Sequence, residues 1–557
     1  MLVYRDTAEQ RDTREWLSSL AKRISASPRP AQSRDLLIEF GIFESALLDA
    51  LAARQDSAER RDVVRALRRV CSALAARFNS EYEDTTRCSR SDHMNGCEIY
   101  LERLKSSQLP PELHATRPEG YAYWGLYPEQ YLDAARCFLR AVRPRSAFVI
   151  GARSIGTSLS SVVESYLASR GVSTESLTVR PIGHPFDRQM HFESSVHEQM
   201  KRIEFEYFLV VDEGPGMSGS TLASIAKALT RLGIPREHVV LFPSYDTDGS
   251  SFVNDEARVI WQQHLRFLGT FDPARLVPGT VDVSAGRWRD HFIDARAERL
   301  LVVPHHERRK YVELSSAGAP IRIHRYCGLG PIGTATHTRA LVLQESGYVP
   351  RVGHMRDGLM EVHFVPGKPL EPARASPRLL ETIANYLAFR GDALRSRSSE
   401  REALVGMLRN NVEEGLGAEY LPNVDSLAEA GATDGDRCCY VDGRMQAHEW
   451  IRNRIWLHES RRLRSWRRSL LPRALRHRVG FRWCCSGARS FGERALNARS
   501  PLRTTIRRQL LVPPNPVLSG SLPCLPIGIL RADQRSVANG RRSAKYDGSG
   551  GTISRPP

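Results

Sequence analysis

No stretch of the 557 residues approaches the roughly 18 consecutive apolar residues that a membrane-spanning helix needs. The opening MLVYRDTAEQRDTREW is polar and acid-containing, without the apolar core of a secretory signal. The ten cysteines show no repeated spacing, and Cys438-Cys439 and Cys484-Cys485 are adjacent pairs, which argues against a disulfide framework. Together these absences predict a protein of the reducing cytoplasm with no membrane partner. CSRSDHMNGC, from Cys88 to Cys97 around His93, holds half a metal-ligand set. With no CxxC partner it reads better as a loop.

Acidic residues are scarce only at one end. The formal charge is +17, but 23 of the 80 Lys+Arg and only 4 of the 63 Asp+Glu lie in 451–557, leaving 57 against 59 in 1–450. The near-neutral part gives nucleic acid nothing to grip. A nucleic-acid-binding reading rests on the tail alone and predicts salt-sensitive DNA binding that vanishes in a 1–450 fragment. The tail itself, with RRLRSWRRSLLPRALRHRVGFRWCCSGARS and NGRRSAKYDGSGGTISRPP, has no helical or strand period. It is expected to be an Arg-rich disordered arm, or a segment translated out of frame. Codons read one base later from Arg452 permit a translation containing HGDDH and then DIAWD, which continues naturally from YVDGRMQAHEW (440–450). The nucleotide sequence of the gene decides between the two.

The rest is long enough for about three domains. Residues 1–115 are expected to be helical, since DLLIEFGIFESALLDALAAR and DVVRALRRVCSALAARFNSEY carry apolar residues three and four apart. SSQLPPELHATRPEG (106–120) reads as a linker. From 116 to 300, short apolar runs alternate with helical patterns: AFVI, SLTVRP, FLVVD and HVVLFPS are strands of a parallel sheet covered on both faces. From 301 to 450, KYVEL and IRIHRYCGLGPIGTATHTRALVLQESGYVP predict a small antiparallel sheet with an inserted helix. PLEPARASP (369–377) reads as a hinge before helices at 378–391 and 401–413.

The most informative stretch is FLVVDEGPGMSGSTLASIAKAL (208–229), a buried strand, two acids, a glycine and hydroxyl loop, and a helix. A helix start with close backbone N–H groups suits a phosphate. Gly214, Gly216, Met217, Ser218, Gly219, Ser220 and Thr221 form that cradle, with Ser218, Ser220 and Thr221 adding hydroxyls. Asp212 and Glu213 would repel a phosphate, but they suit neighbouring hydroxyl groups. Phosphate and vicinal diol together describe a ribose 5-phosphate.

In these residues the chain resembles the type I phosphoribosyltransferases over roughly 121–250. The resemblance implies a phosphoribosyltransferase-like α/β domain that binds phosphoribosyl pyrophosphate with magnesium held through the ligand and Asp212 as its nearest protein group. It implies Asp212 and Glu213 beneath the ribose, and displacement at the anomeric carbon. It also implies a pyrophosphate loop after an earlier strand, here Gly151, Ala152, Arg153, Ser154, Gly156 and Thr157. A variable hood falls at VRPIGHPFDRQMHF, with Arg180, His184, Asp187 and Arg188 as acceptor or pyrophosphate contacts. Where some relatives carry a loop carboxylate acting as base, this chain has Gly214 or Gly216. That departure keeps a non-catalytic sensor of the same ligand open beside the transferase, and leaves the acceptor and the oligomeric state, a dimer included, undefined.

The segment 325–350 resembles the nucleotide-binding lobe of aminoglycoside-phosphotransferase-like kinases, through its glycine turn, helix and following VHFVPGKPL hinge. That resemblance implies an α+β lobe for ATP and a small-molecule kinase, with Asp442 opening a catalytic half. No lysine stands on IRIHRY, so Arg322 or Arg325 would have to replace it, and kinase activity is not expected of this chain.

Overall fold

A computed structural model describes residues 8–452 except 27–29, 53–56, 84–96, 194–195, 199, 201–204, 293–307, 371–375, 397–400, 431–437 and 441–449. The tail from 453 onward, Cys88, His93 and Asp442 lie outside the described residues.

The chain opens with β1 (Ala8–Asp12) and helices α1 (Thr13–Ser25), α2 (Pro30–Ala52), α3 (Ala58–Tyr82) and α4 (Cys97–Ser106). Asp12 and Ser57 start α1 and α3 by accepting from the Glu15 and Arg60 amides. β1 pairs antiparallel with β2 (Glu112–Thr116), Ala8 opposite Thr116 and Asp12 opposite Glu112. The residues expected as a helix start and a linker are therefore strands. Their pairing is remote in sequence, so no local pattern announces it.

Next come α5 (Pro128–Val142), β3 (Ser146–Ala152), α6 (Ile155–Ser169), β4 (Ser173–Val179) and a hairpin of β5 (Ile182–His184) and β6 (Asp187–Gln189). They are followed by β7 (Tyr207–Val211), α7 (Ser220–Arg231), β8 (Val239–Phe242), α8 (Asp255–Gln263) and β9 (Leu265–Arg266). Five of these strands form the expected parallel sheet, in the order β4-β3-β7-β8-β9. Successive strand residues face opposite sides, and here they enter two different cores. Val149, Leu209, Val211 and Phe242 pack with the helices α1 to α3, α5 and α6. Phe148, Ile150, Val210 and Leu241 pack with α7 and α8.

The N-terminal helices, expected as a helical region over 1–115, thus pack as a layer on the parallel sheet. Gly41 lies so close to α6 that a Cβ there would stand 2.9 Å from the Ser158 Cβ. Arg68, buried on α3, donates to Glu44 at 2.9 Å, to Ser161 at 2.8 Å and to the Thr157 carbonyl at 3.1 Å. α2, α3 and α6 are pinned together by this one guanidinium.

The third unit is an antiparallel sheet of β10 (Thr280–Asp282), β11 (Lys310–Leu314), β12 (Pro320–Tyr326), β13 (Val352–Arg356) and β14 (Leu359–His363), ordered β10-β11-β12-β14-β13. Helix α9 (Gly330–Glu345) is inserted between β12 and β13 as expected. The unit begins before 301, because β10 pairs with β11. It docks on the first two layers. The Tyr326 hydroxyl donates to the Tyr121 carbonyl at 2.6 Å, and Arg34 bridges Glu129 at 3.0 Å and Asp357 at 2.7 Å. The helices Pro377–Ala393 and Arg401–Leu416 follow.

The glycine turn of this unit joins a strand to a helix, with φ of +111° at Gly328 and +56° at Gly330. Residues 327–330 are buried, the Leu329 amide donates to the Tyr121 carbonyl at 3.0 Å, and a Cβ at Gly333 would meet the Gly328 carbonyl oxygen at 2.1 Å. These glycines serve close packing, and the turn offers no open face to the phosphates of ATP. Arg322 is paired with Glu313 at 2.8 Å and Glu361 at 3.2 Å, while Arg325 is exposed. No helix among the described residues is long and apolar enough to cross a membrane.

Candidate functional site

The order of the parallel sheet reverses between β3 and β7, since β4 lies on one side of β3 and β7 to β9 on the other. At such a switch point the loops leave the strand ends in opposite directions and open a crevice. Both loops singled out in the sequence leave from there. They also touch: a Cβ on Gly156 would stand 2.6 Å from the Val211 carbonyl oxygen.

Asp212 follows the last residue of β7. Its amide donates to the Phe242 carbonyl at 3.3 Å, and its carbonyl accepts from the Tyr131 hydroxyl at 2.6 Å. The backbone is held on both sides, and the half-buried carboxylate stands at the carboxyl end of β7, at the switch point. Burial pushes the Asp212 carboxyl up to about 6, against hydrogen bonds from the Glu213 and Gly214 amides and the charges of Arg188 and Arg180. Burial dominates because a charge loses water faster than these partners replace it.

Glu213 is turned back into the protein. Its Oε2 accepts from the Gly120 amide at 2.8 Å, at the start of a π-helical turn (Gly120–Trp124), and its carbonyl accepts from the Ser244 hydroxyl. A Cβ at Gly120 would stand 2.5 Å from that oxygen and 2.6 Å from Ile155 Cδ1, so a larger residue there would displace the Glu213 carboxylate. The two expected ribose-facing acids are therefore unequal: Asp212 accepts from amides of its own loop at the strand end, whereas Glu213 reaches across to Gly120.

The Gly214–Pro215 peptide is cis. Gly216 has φ +62° and an open surround, and Gly219 has φ +65° at the cap of α7. Met217 is exposed and Thr221 half-buried. The Ser218 and Ser220 hydroxyls are buried, lie 2.9 Å apart, and sit 3.1 and 2.9 Å from the Pro185 carbonyl. Here both hydroxyls fasten the β5–β6 hairpin.

That hairpin is the expected hood. Asn254 Nδ2 holds its tip through the Phe186 carbonyl at 2.9 Å. Of the four hood candidates, Arg180 and Arg188 act on Asp212. His184 instead lies 3.6 Å from Glu414, and Asp187 accepts from Gln189 at 3.0 Å. A shallow pocket lined by Asp187, Arg188, Ser224 and Lys227 opens beside the hairpin, and neither Asp212 nor Glu213 lines it.

The β3 loop is tighter than expected, with only Arg153 and Ser154 between β3 and α6. Both amides are used: Arg153 donates to the Val179 carbonyl at 2.7 Å and Ser154 to Ser45 Oγ at 2.8 Å. Gly151, Ala152, Gly156 and Thr157 are buried, and the Thr157 hydroxyl lies 3.0 Å from Ser45 Oγ. Helix α2 thus covers the loop. Ser45, Asp49, Gly120 and Tyr131 were invisible as site residues, because each belongs to a helix or turn far from the two motifs.

Gly151 is a packing glycine. A Cβ there would meet the Gly156 carbonyl oxygen at 2.3 Å and Ser160 Oγ at 2.5 Å. Backbone cannot yield as a side-chain tip can. Gly151→Val is expected to cost about 2 kcal/mol or more in denaturant unfolding, as overpacking does.

No protein-family model matches the chain, and no curated protein matches it significantly.

Proposed function

We propose that the crevice between β3 and β7 binds phosphoribosyl pyrophosphate and that the chain transfers its phosphoribosyl group to an acceptor. The observation that carries this reading is the place of Asp212: a carboxylate at the switch point of a parallel sheet, followed by a glycine loop into the N-terminus of α7. The amides of 216–218 and of Thr221 at the start of α7 would take the 5-phosphate, while the Gly219 and Ser220 amides already donate to the Pro215 carbonyl and Ser218 Oγ. Ionised Asp212 would accept from a ribose hydroxyl and oppose the positive charge that grows on the ring as the bond to diphosphate breaks.

Magnesium fits here as a companion of the ligand. No three metal-binding side chains gather among the described residues, whereas Asp212 is a desolvated carboxylate that a nearby cation would keep ionised. When bound, the ion would neutralise charge on the leaving diphosphate.

A sensor that binds the same ligand without turnover is the second reading. The commitment of Glu213 to Gly120 favours it, since one of the two expected acids is withdrawn. Calorimetric titration with phosphoribosyl pyrophosphate and magnesium, followed by assay of pyrophosphate release in the presence of metabolite extracts, separates the two. Binding with release is expected. Binding without release establishes the sensor, and absence of binding removes both.

A further inference from the structure

Helix α2 presents Gly41, Ser45 and Asp49, spaced by four and hence on one face, to the β3 loop and α6. Ser45 accepts from the Ser154 amide. Asp49 meets two arginines: Oδ1 accepts from Arg153 Nη1 at 3.1 Å and Arg180 Nε at 3.2 Å, and Oδ2 accepts from Arg180 Nη2. One carboxylate therefore faces two guanidiniums at the carboxyl ends of β3 and β4.

Polar atoms beside this carboxylate also stay unused. Arg153 Nε and Thr178 Oγ1 are buried without a hydrogen-bond partner, although buried polar groups nearly always find one. Ser154, which is not a glycine, stands at φ +103°, a sparsely populated conformation that the surrounding structure imposes. Asp49 itself is about one-third exposed, with 35% of its side-chain surface open, so a solute can reach the pair.

We propose that Asp49 is an internal anion that occupies the Arg153–Arg180 pair until a diphosphate group displaces it. The identity of the displacing group rests on the phosphoribosyl reading, while the competition itself rests on the three contacts to Asp49. A diphosphate presents more acceptor oxygens than a carboxylate and pairs well with arginine forks. Binding of substrate then opens the clamp of α2 on the β3 loop, so the N-terminal helical layer controls occupancy of the crevice.

The test uses the full chain and inorganic pyrophosphate as the probe. Asp49→Asn removes the competing charge and keeps the shape, and should tighten pyrophosphate about tenfold, the effect of removing roughly one charge-assisted contact from the competitor. Arg180→Gln should weaken pyrophosphate, and in the double variant the gain from Asp49→Asn should shrink, the signature of coupled sites. If Asp49→Asn lowers the melting temperature, the ligand shift still decides. Pyrophosphate should raise the melting temperature of the variant more than that of the wild type, because it replaces the lost partner. Equal pyrophosphate affinity or equal ligand shifts in the two proteins overturn the proposal, whatever either does with phosphoribosyl pyrophosphate. Tighter pyrophosphate in Asp49→Asn, with no binding of ribose 5-phosphate to either protein, supports the internal anion and removes the phosphoribosyl reading.

Discussion

Asp212→Asn is expected to weaken phosphoribosyl pyrophosphate about ten- to a hundredfold while leaving the fold as stable as before, or slightly more so. A charge-assisted hydrogen bond to a ribose hydroxyl contributes roughly 1.5–3 kcal/mol, and about 1.4 kcal/mol is one decade of affinity. Stability moves the other way. The folded Asp212 titrates at about 6 and the ordinary value is 3.8, so folding takes up a proton between them. The protonated form is the one the fold favours; its contribution is complete below 3.8 and lost as the pH rises through 6. At pH 8 the ionised carboxylate costs the fold on the order of 1 kcal/mol after allowance for its partial exposure. The asparagine removes that cost. Wild-type affinity should also fall as the pH drops through 6, because a protonated carboxyl accepts more weakly, and the variant should lack this dependence. Titration calorimetry and thermal melts from pH 5 to 8 on both proteins give all three readings. If Asp212 instead caps or braces the loop, stability falls and affinity follows it.

The parallel sheet was legible because its strands are continuous apolar runs such as Phe208–Val211, and helices with clear periods separate them. The switch point followed from no local signal, yet both loops fall on it. The unequal roles of Asp212 and Glu213 could not be read, since Glu213 is fixed by the Gly120 amide, a backbone group with no signature in the sequence. The contacts of Ser218 and Ser220 could not be read for a related reason. A hydroxyl in a glycine loop suits a phosphate or a neighbouring carbonyl equally, and only the path of the hairpin shows that Pro185 receives them. The periodicity of the N-terminal segments announces helices, but not that Arg68 and Glu44 are the charges that join them to the sheet's cover. They are buried against each other, with side-chain exposures of 7% and 0%.

That pair gives the largest expected change in stability. Arg68→Met should lower unfolding stability by about 3–5 kcal/mol, because it strands the Glu44 carboxylate in the core and leaves it without its cation. Glu44 and Glu164 favour the charged Arg68, while burial works against the charge of both Arg68 and Glu44, so the pair is worth keeping only intact. Replacing both partners, Arg68→Met with Glu44→Leu, should recover most of the loss, since no charge is then left unpaired. The shape of the melting curve carries the further information. Arg68 also donates to Ser161 and to the Thr157 carbonyl of α6, directly behind the β3 loop. If the helical layer and the parallel sheet share one core, Arg68→Met shifts a single transition of the α/β unit, and pyrophosphate binding weakens as that unit loosens. If the helices formed a domain of their own, calorimetry would show one transition moving and another, from the sheet, staying in place. The shared transition is expected, because α2 and α3 bury their apolar faces against α6 in the same core as one face of the sheet.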